Sequence, residues 1–339
     1  MKSLSQAGLD VPLPSGESPL VIEKLKSLAA EVGWRAPGKT IWAARRPVVL
    51  LYHGIPRRSE GDALDAESFE RHLVFLKANF TFLHPADVAG SRRGFRRDRV
   101  LLTFDDGFRN NAERAAPLLQ KHGIPALFFI STRHCEERRY LWWSYLKMLK
   151  NRFRFNGFLF RGKFMDMSAV CRLSTVADLT AFLTGLRPHP AAMYEVIERE
   201  LPPIEDFVSA DELVDHCAGM TPDQIETLSQ NPLFLIGAHT LDHPLLTQCE
   251  EAEALRQVSD NKRYLEKLTR QACDLIAYPM ADFDARTLAM CRSLGIRQGY
   301  SVAREIHYDA ALEQKRVGIY SRSLTRLGAK VRWGNIFHG

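Results

Sequence analysis

Five short stretches of this chain are apolar without alternation: Pro47–His53, Val100–Phe104, Ala126–Ile130, Leu233–Ile236 and Leu275–Tyr278. A strand with one wet face alternates apolar and polar residues. A continuous run needs cover on both faces, the condition met in parallel α/β sheets and barrels. Between the runs lie segments with helical spacing of apolar residues: Ala66–Ala78, Arg109–His122, Thr221–Ser229, Glu250–Arg270 and Asp284–Leu294. Thr221-Pro222 supplies an N-cap followed by proline at the first helical position. Gly123 and Gly295 stand where helix C-caps belong, each followed by Ile and the next strand. Repeated strand–helix units predict an α/β fold, either a wound sheet or a barrel.

Composition narrows the class. With 339 residues, 45% hydrophobic and 25% charged, the chain is neither disordered nor fibrous, and it is long enough for one large domain or two smaller ones. The net charge of +6 suits an anionic partner but is too dilute over this length to argue for nucleic acid, in spite of the Arg92–Arg99 cluster. Six cysteines without a CxxC pair exclude a zinc finger or redox motif and read as core residues of a reducing compartment. Residues 1–19 hold no continuous apolar stretch, and the longest apolar runs fall far short of the ~20 residues of a membrane helix. The expectation is a cytoplasmic chain whose basic segment 321–339 offers a peripheral contact to an anionic inner membrane.

Two stretches break the strand–helix rhythm. Residues 1–46 precede the first strand, with Leu20–Val32 patterned as an amphipathic helix, and residues 132–220 read as a long insertion. Inside the insertion, Asn156-Gly157 predicts a type I′ hairpin that pairs Phe155 with Phe158 and Phe153 with Phe160. Its phenylalanines either cap the core or form, with Arg152, Arg154 and Arg161, a lid for an anionic glycan or lipid headgroup. Trp142-Trp143 reads equally as core or as a stacking surface for sugar rings.

Three polar clusters end apolar strands, where wound α/β folds place their sites. The adjacent carboxylates Asp105 and Asp106 repel unless a cation lies beside them, or else form an Asx turn with Gly107. His239 and His243 share one side if their segment is helical, a spacing suited to zinc. His53 closes the first strand, either as a core histidine or as a third member of the same rim. One carboxylate and two imidazoles form a three-ligand set that leaves room for water and substrate.

Thr103–Gly107 matches the TFDDG motif and His239–His243 the H-[ST]-x-x-H motif of the polysaccharide deacetylase superfamily, the NodB-homology domain of carbohydrate esterase family 4. Ala277–Met280 resembles the Tyr-Pro segment of its third motif. The resemblance covers roughly residues 47–131 and 221–320. It implies a distorted (β/α) barrel of about seven strands carrying a long insertion. It also implies a divalent metal, zinc before others, on Asp106, His239 and His243, with Asp105 as general base. The Tyr52-His53-Gly54 segment resembles that of the permuted biofilm deacetylases and implies His53 as general acid. Tyr278, Pro279 and Met280 would meet the substrate, with the Met280 N–H at the oxyanion. The implied division is an extension 1–46, a barrel 47–320 including the insertion, and a tail 321–339. The implied reaction is hydrolysis of the acetamide of an N-acetylated sugar; a formamide or cyclic imide substrate, or a glycan-binding barrel without turnover, are the alternatives. The position from which many relatives pair an Arg with the base is Ala277 here.

Overall fold

The computed structural model describes residues 47–59, 61–88, 99–136, 139–302 and 309–333. Ten strands occur among them: β1 Val48–Tyr52, β2 Thr81–Phe82, β3 Arg99–Phe104, β4 Ala126–Ile130, β5 Gly157–Phe160, β6 Lys163–Asp166, β7 Phe234–Ala238, β8 Leu275–Ala277, β9 Gln298–Ser301 and β10 Gln314–Gly318. Seven of them close a parallel barrel in the order β1-β3-β4-β7-β8-β9-β10, with β10 returning to β1 through Leu50↔Val317. The two-residue β2 adds only to the start of β3. The resemblance thus predicts the barrel correctly. The five apolar runs are all barrel strands, and the five helical segments are helices with ends shifted by a residue or two. One segment differs inside: Arg109–His122 opens with a π-turn, Asn111–Ala115, before the α-helix Ala116–His122.

Two apolar layers follow from strand alternation. Val49, Leu101, Leu127, Phe129, Leu275, Ala277 and Tyr300 fill the barrel. Their neighbours Leu50, Leu102, Phe128, Ile236 and Ile276 face the surrounding helices. Residues Trp142 to Cys217 build a third core of their own from helices Trp142–Arg152, Arg172–Gly185, Pro190–Arg199 and Ala210–His216.

The hairpin expectation is corrected in register. β5 pairs with β6, Phe160 lies opposite Lys163, and the turn is Arg161-Gly162, both with left-handed backbone. Gly157 is a close approach, since a Cβ there would meet the Met165 carbonyl. Phe153 is buried at the end of its helix, whereas Phe155 is exposed. Arg161 is held by Glu200 at 2.6 Å and lies over Phe182, and Arg152 is held by Glu212, so these two arginines have partners within the insertion.

The segment expected as a basic tail carries the helix Leu324–Trp333, whose Leu327 and Val331 enter the outer core. Lys330 donates to the Gly318 carbonyl and Arg326 pairs with Asp62. Leu20–Val32 and most of the Arg92–Arg99 cluster lie outside the described residues. No helix among the described residues is long and apolar enough to cross a membrane.

Candidate active site

Alternation alone aims three polar groups into the barrel mouth. The inward residues of β1 are Val49 and Leu51, so His53 follows in phase; Leu101 and Thr103 lead to Asp105, and Leu235 and Gly237 lead to His239. β1 and β3 run in register at Tyr52↔Phe104, and the Asp105 N–H donates to the Tyr52 carbonyl at 3.0 Å, which sets His53 beside Asp105.

Asp106 is out of phase and should face outward. Its backbone is left-handed, φ 75°, and this turns the carboxylate back toward the histidines. His243 arrives similarly. The segment His239–His243 is a loop rather than the helical turn considered from its spacing, with Thr240 at φ 65° and His243 at φ 58°. A β-branched residue in that region carries about 1–2 kcal/mol of strain. Among the described residues, five of the seven non-glycine positions with left-handed backbone are Asp106, Thr240, His243, Met280 and Ala281, all on loops leaving strand ends.

The result is a buried triad. Asp106 Oδ1 lies 3.4 Å from His239 Nε2 and 3.6 Å from His243 Nε2. One ligand atom from each residue falls within 4.8 Å of the others. His239 Nδ1 donates to the Ala277 carbonyl at 2.8 Å, which leaves the Nε2 lone pair for a cation. Both oxygens of Asp106 are buried and have no hydrogen-bond partner.

Charge balance agrees. Asp105 receives a bidentate pair from Arg316, Nη1 and Nη2 each 2.6 Å from a carboxylate oxygen, and both side chains are buried. Arg316 also bonds Thr103 and lies over the Phe129 ring. Burial pushes the Asp105 carboxyl up, but Arg316 first and His239 next hold it below the usual range. Burial acts likewise on Asp106, and the close approach of His239 with the charges of His53 and His243 more than offsets it. Burial depresses His239, and the two aspartates raise it above the ordinary imidazole value. His243 is pushed down to about 3 by burial and by the charge on His239. With Asp105 neutralised by Arg316, one buried carboxylate and a neutral imidazole face a second imidazole that attracts a proton. That donor set fits a divalent cation.

A polar stripe on the helix Glu251–Thr269 supports the loop. Asn261 accepts from the His239 N–H at 3.1 Å and donates to the Ile130 carbonyl and Thr132. One turn earlier, Gln257 accepts from the Asp242 N–H and donates to its carboxylate at 2.7 Å. The insertion forms a wall: the Trp143 ring lies 4.3 Å from that of His243, centroid to centroid, and Trp142 is buried in the insertion core.

The other expected residues are placed as follows. The His53 ring lies against Tyr320 at 5.7 Å, with Nδ1 buried and unpartnered. Tyr278 belongs to the outer core, its ring tilted against Phe283 at 4.7 Å. Pro279 is buried, and Met280 is exposed with left-handed backbone. Sequence reasoning missed Arg316, Gln257 and Asn261. The two helix residues left a signal, polar side chains four apart on the stripe that includes Ala254, Val258 and Leu265.

Comparison with known proteins gives one family. The family model described as "Polysaccharide deacetylase" matches residues 92–155 and 181–299, more than half of the chain. YxkH of Bacillus subtilis (strain 168) is 20% identical over 305 residues, 87% of this chain and 78% of that protein. The deacetylase PplD of Streptococcus pyogenes, solved in complex with acetate, superposes with a TM-score of 0.53 at 18% identity, covering 86% of this chain and 99% of that one. IcaB from Ammonifex degensii gives a TM-score of 0.52 at 17% identity, covering 86% and 97%.

Proposed function

From the premise that this chain belongs to the polysaccharide deacetylase family, hydrolases of carbohydrate amides, we propose that it removes the acetyl group of an N-acetylated sugar in a glycan, oligosaccharide or glycolipid. Asp106, His239 and His243 hold a divalent metal in this reading, zinc before others. The observation that carries it is the Asp106 carboxylate, buried with both oxygens unpartnered between two imidazole nitrogens. An unpaired buried charge of this kind is costly unless a cation completes it. When bound, the metal would polarise the amide carbonyl and acidify an attacking water.

The remaining roles fall to the chain itself. Asp105, kept ionised by Arg316, accepts a proton as water adds to the carbonyl. The Met280 N–H, on its left-handed turn, is assigned to the developing oxyanion. His53 delivers a proton to the departing amine nitrogen, giving acetate and a free amino sugar. The division into a barrel over 47–320 and an insertion over 132–220 that reads the sugar belongs to the same proposal, supported by the separate insertion core and by Trp143 on the metal side.

Bound-metal analysis with acetate release from N-acetylglucosamine oligomers tests it, wild type against Asp105→Asn. One metal equivalent, with release abolished in the variant, is expected. Metal without turnover on any acylated sugar would instead support a glycan-binding barrel.

A further inference from the structure

The end of the insertion grips the loop that carries His53. Ile55 N–H donates to Asn110 Oδ1 at 2.8 Å, and Arg57 N–H lies 3.1 Å from both carboxylate oxygens of Asp215. The two acceptors are themselves joined, since Asn110 Nδ2 donates to the Asp215 carbonyl at 2.8 Å. Arg114 anchors the Asp215 carboxylate from the helical segment after β3, Nη2 to Oδ1 2.7 Å. The same stretch is sewn to the motif turn by Arg109 N–H to Ala218 O, 2.8 Å, and Met220 N–H to Gly107 O, 2.9 Å. Gly54 packs so close to Asn110 that a Cβ there would lie 3.0 Å from Nδ2.

This arrangement has a purpose that core packing does not require. The segment 53–57 leaves the barrel and has no strand partner of its own beyond Tyr52. A loop with free N–H groups would sample many positions, and holding it in one opposes its conformational entropy. Here Asn110, at the start of the helical segment that follows Asp105 and Asp106, and Asp215, from the insertion, fix two alternate N–H groups of it. We propose that Asp215, acting with Asn110, is a positioning residue for His53: it sets the imidazole at proton-transfer range of the leaving amine. The insertion then does more than read substrate; its last turn completes the acid side of the site. A displacement near 1 Å of a catalytic group lowers turnover by up to about a hundredfold.

The inference rests on His53 as the acid, and the test separates the two. The proteins are wild type, His53→Ala, Asp215→Ala, Asp215→Asn and the double variant His53→Ala/Asp215→Ala, each loaded with zinc. Turnover is measured on N-acetylglucosamine oligomers and on para-nitrophenyl acetate, whose leaving group departs without a proton. Asp215→Ala should lower kcat on the oligomer about ten- to a hundredfold, with KM and bound zinc within about twofold, and lower the ester rate far less. Asp215→Asn, which keeps an acceptor for the Arg57 N–H, should recover most of the loss. The double variant should be no slower than His53→Ala alone. Equal loss on amide and ester, or additive losses in the double variant, overturns the positioning role. Wild-type kcat in His53→Ala overturns the acid assignment and the proposal with it. Asp215→Ser serves should the alanine variant fail to fold, with the same expectations.

Discussion

A carboxylate buried as deeply as Asp105 would ordinarily keep its proton near neutrality, and a base that is already protonated takes none from water. Arg316 reverses this through two short parallel hydrogen bonds. Arg316→Met should strand that charge, destabilising the fold by about 3–5 kcal/mol in urea titration and moving the base limb of the pH–rate profile to higher pH. A second residue-scale prediction concerns His72, buried beneath β1 with its Nδ1 3.4 Å from the Tyr52 hydroxyl. Burial lowers its pKa from 6.5 to about 4. The unfolded chain therefore binds this proton first, and stability is complete above the unfolded value and falls as pH drops toward the folded one. The loss approaches about 3 kcal/mol by the lower limit. Urea midpoints measured between these pH values should slope with acidity in the wild type and lose that part of the slope in His72→Leu.

At the scale of elements, the helix Glu251–Thr269 acts as a splint for the histidine loop. Asn261→Leu removes the acceptor of the His239 N–H and the donor to Ile130 and Thr132. Metal affinity should weaken about ten- to a hundredfold, read by chelator competition, with the helix intact by circular dichroism. What was legible here follows from signal length. Strands such as Ala126–Ile130 are buried on both faces and announce themselves as apolar runs. β9 and β10 place Gln298 and Arg316 within the barrel and break the pattern, so they stayed hidden, and Arg316 with them. The polar pair Asp105-Asp106 was visible, but the turn that brings Asp106 inward depends on a backbone angle that no residue spacing encodes. The hairpin shows the converse. Asn156-Gly157 is a strong local turn signal, yet burial of Phe153 and Phe160 in the insertion core selects the turn at Arg161-Gly162. Tertiary packing outweighs local preference where the two disagree.

For the whole molecule, loading with metal should stabilise with the logarithm of the free metal concentration once this exceeds the dissociation constant. Zinc at a hundred times its dissociation constant adds about 2.7 kcal/mol, seen as a rise in Tm that Asp106→Ala abolishes. Because the aspartates raise the His239 pKa, a proton competes with the cation there, so the gain should shrink as pH falls through that value. The positive charge, which composition could only describe as an excess, is partly spent inside: Arg316 on Asp105, Arg114 on Asp215, Lys330 on the Gly318 carbonyl.

Barrel closure joins distant parts of the chain. Asp105 and Arg316 are 211 positions apart, and β10 is the last strand in chain order among the described residues. Without β10 between β9 and β1, the carboxylate of Asp105 would lose the Arg316 guanidinium that holds it ionised, and the seam beside β1 would be open. A chain clipped before β10 should therefore release no acetate, even where its circular dichroism keeps the helical signal. The base proposed for the reaction and the closure of the barrel thus depend on one long-range pairing, so Arg316 ties the ionisation of Asp105 to the completeness of the fold.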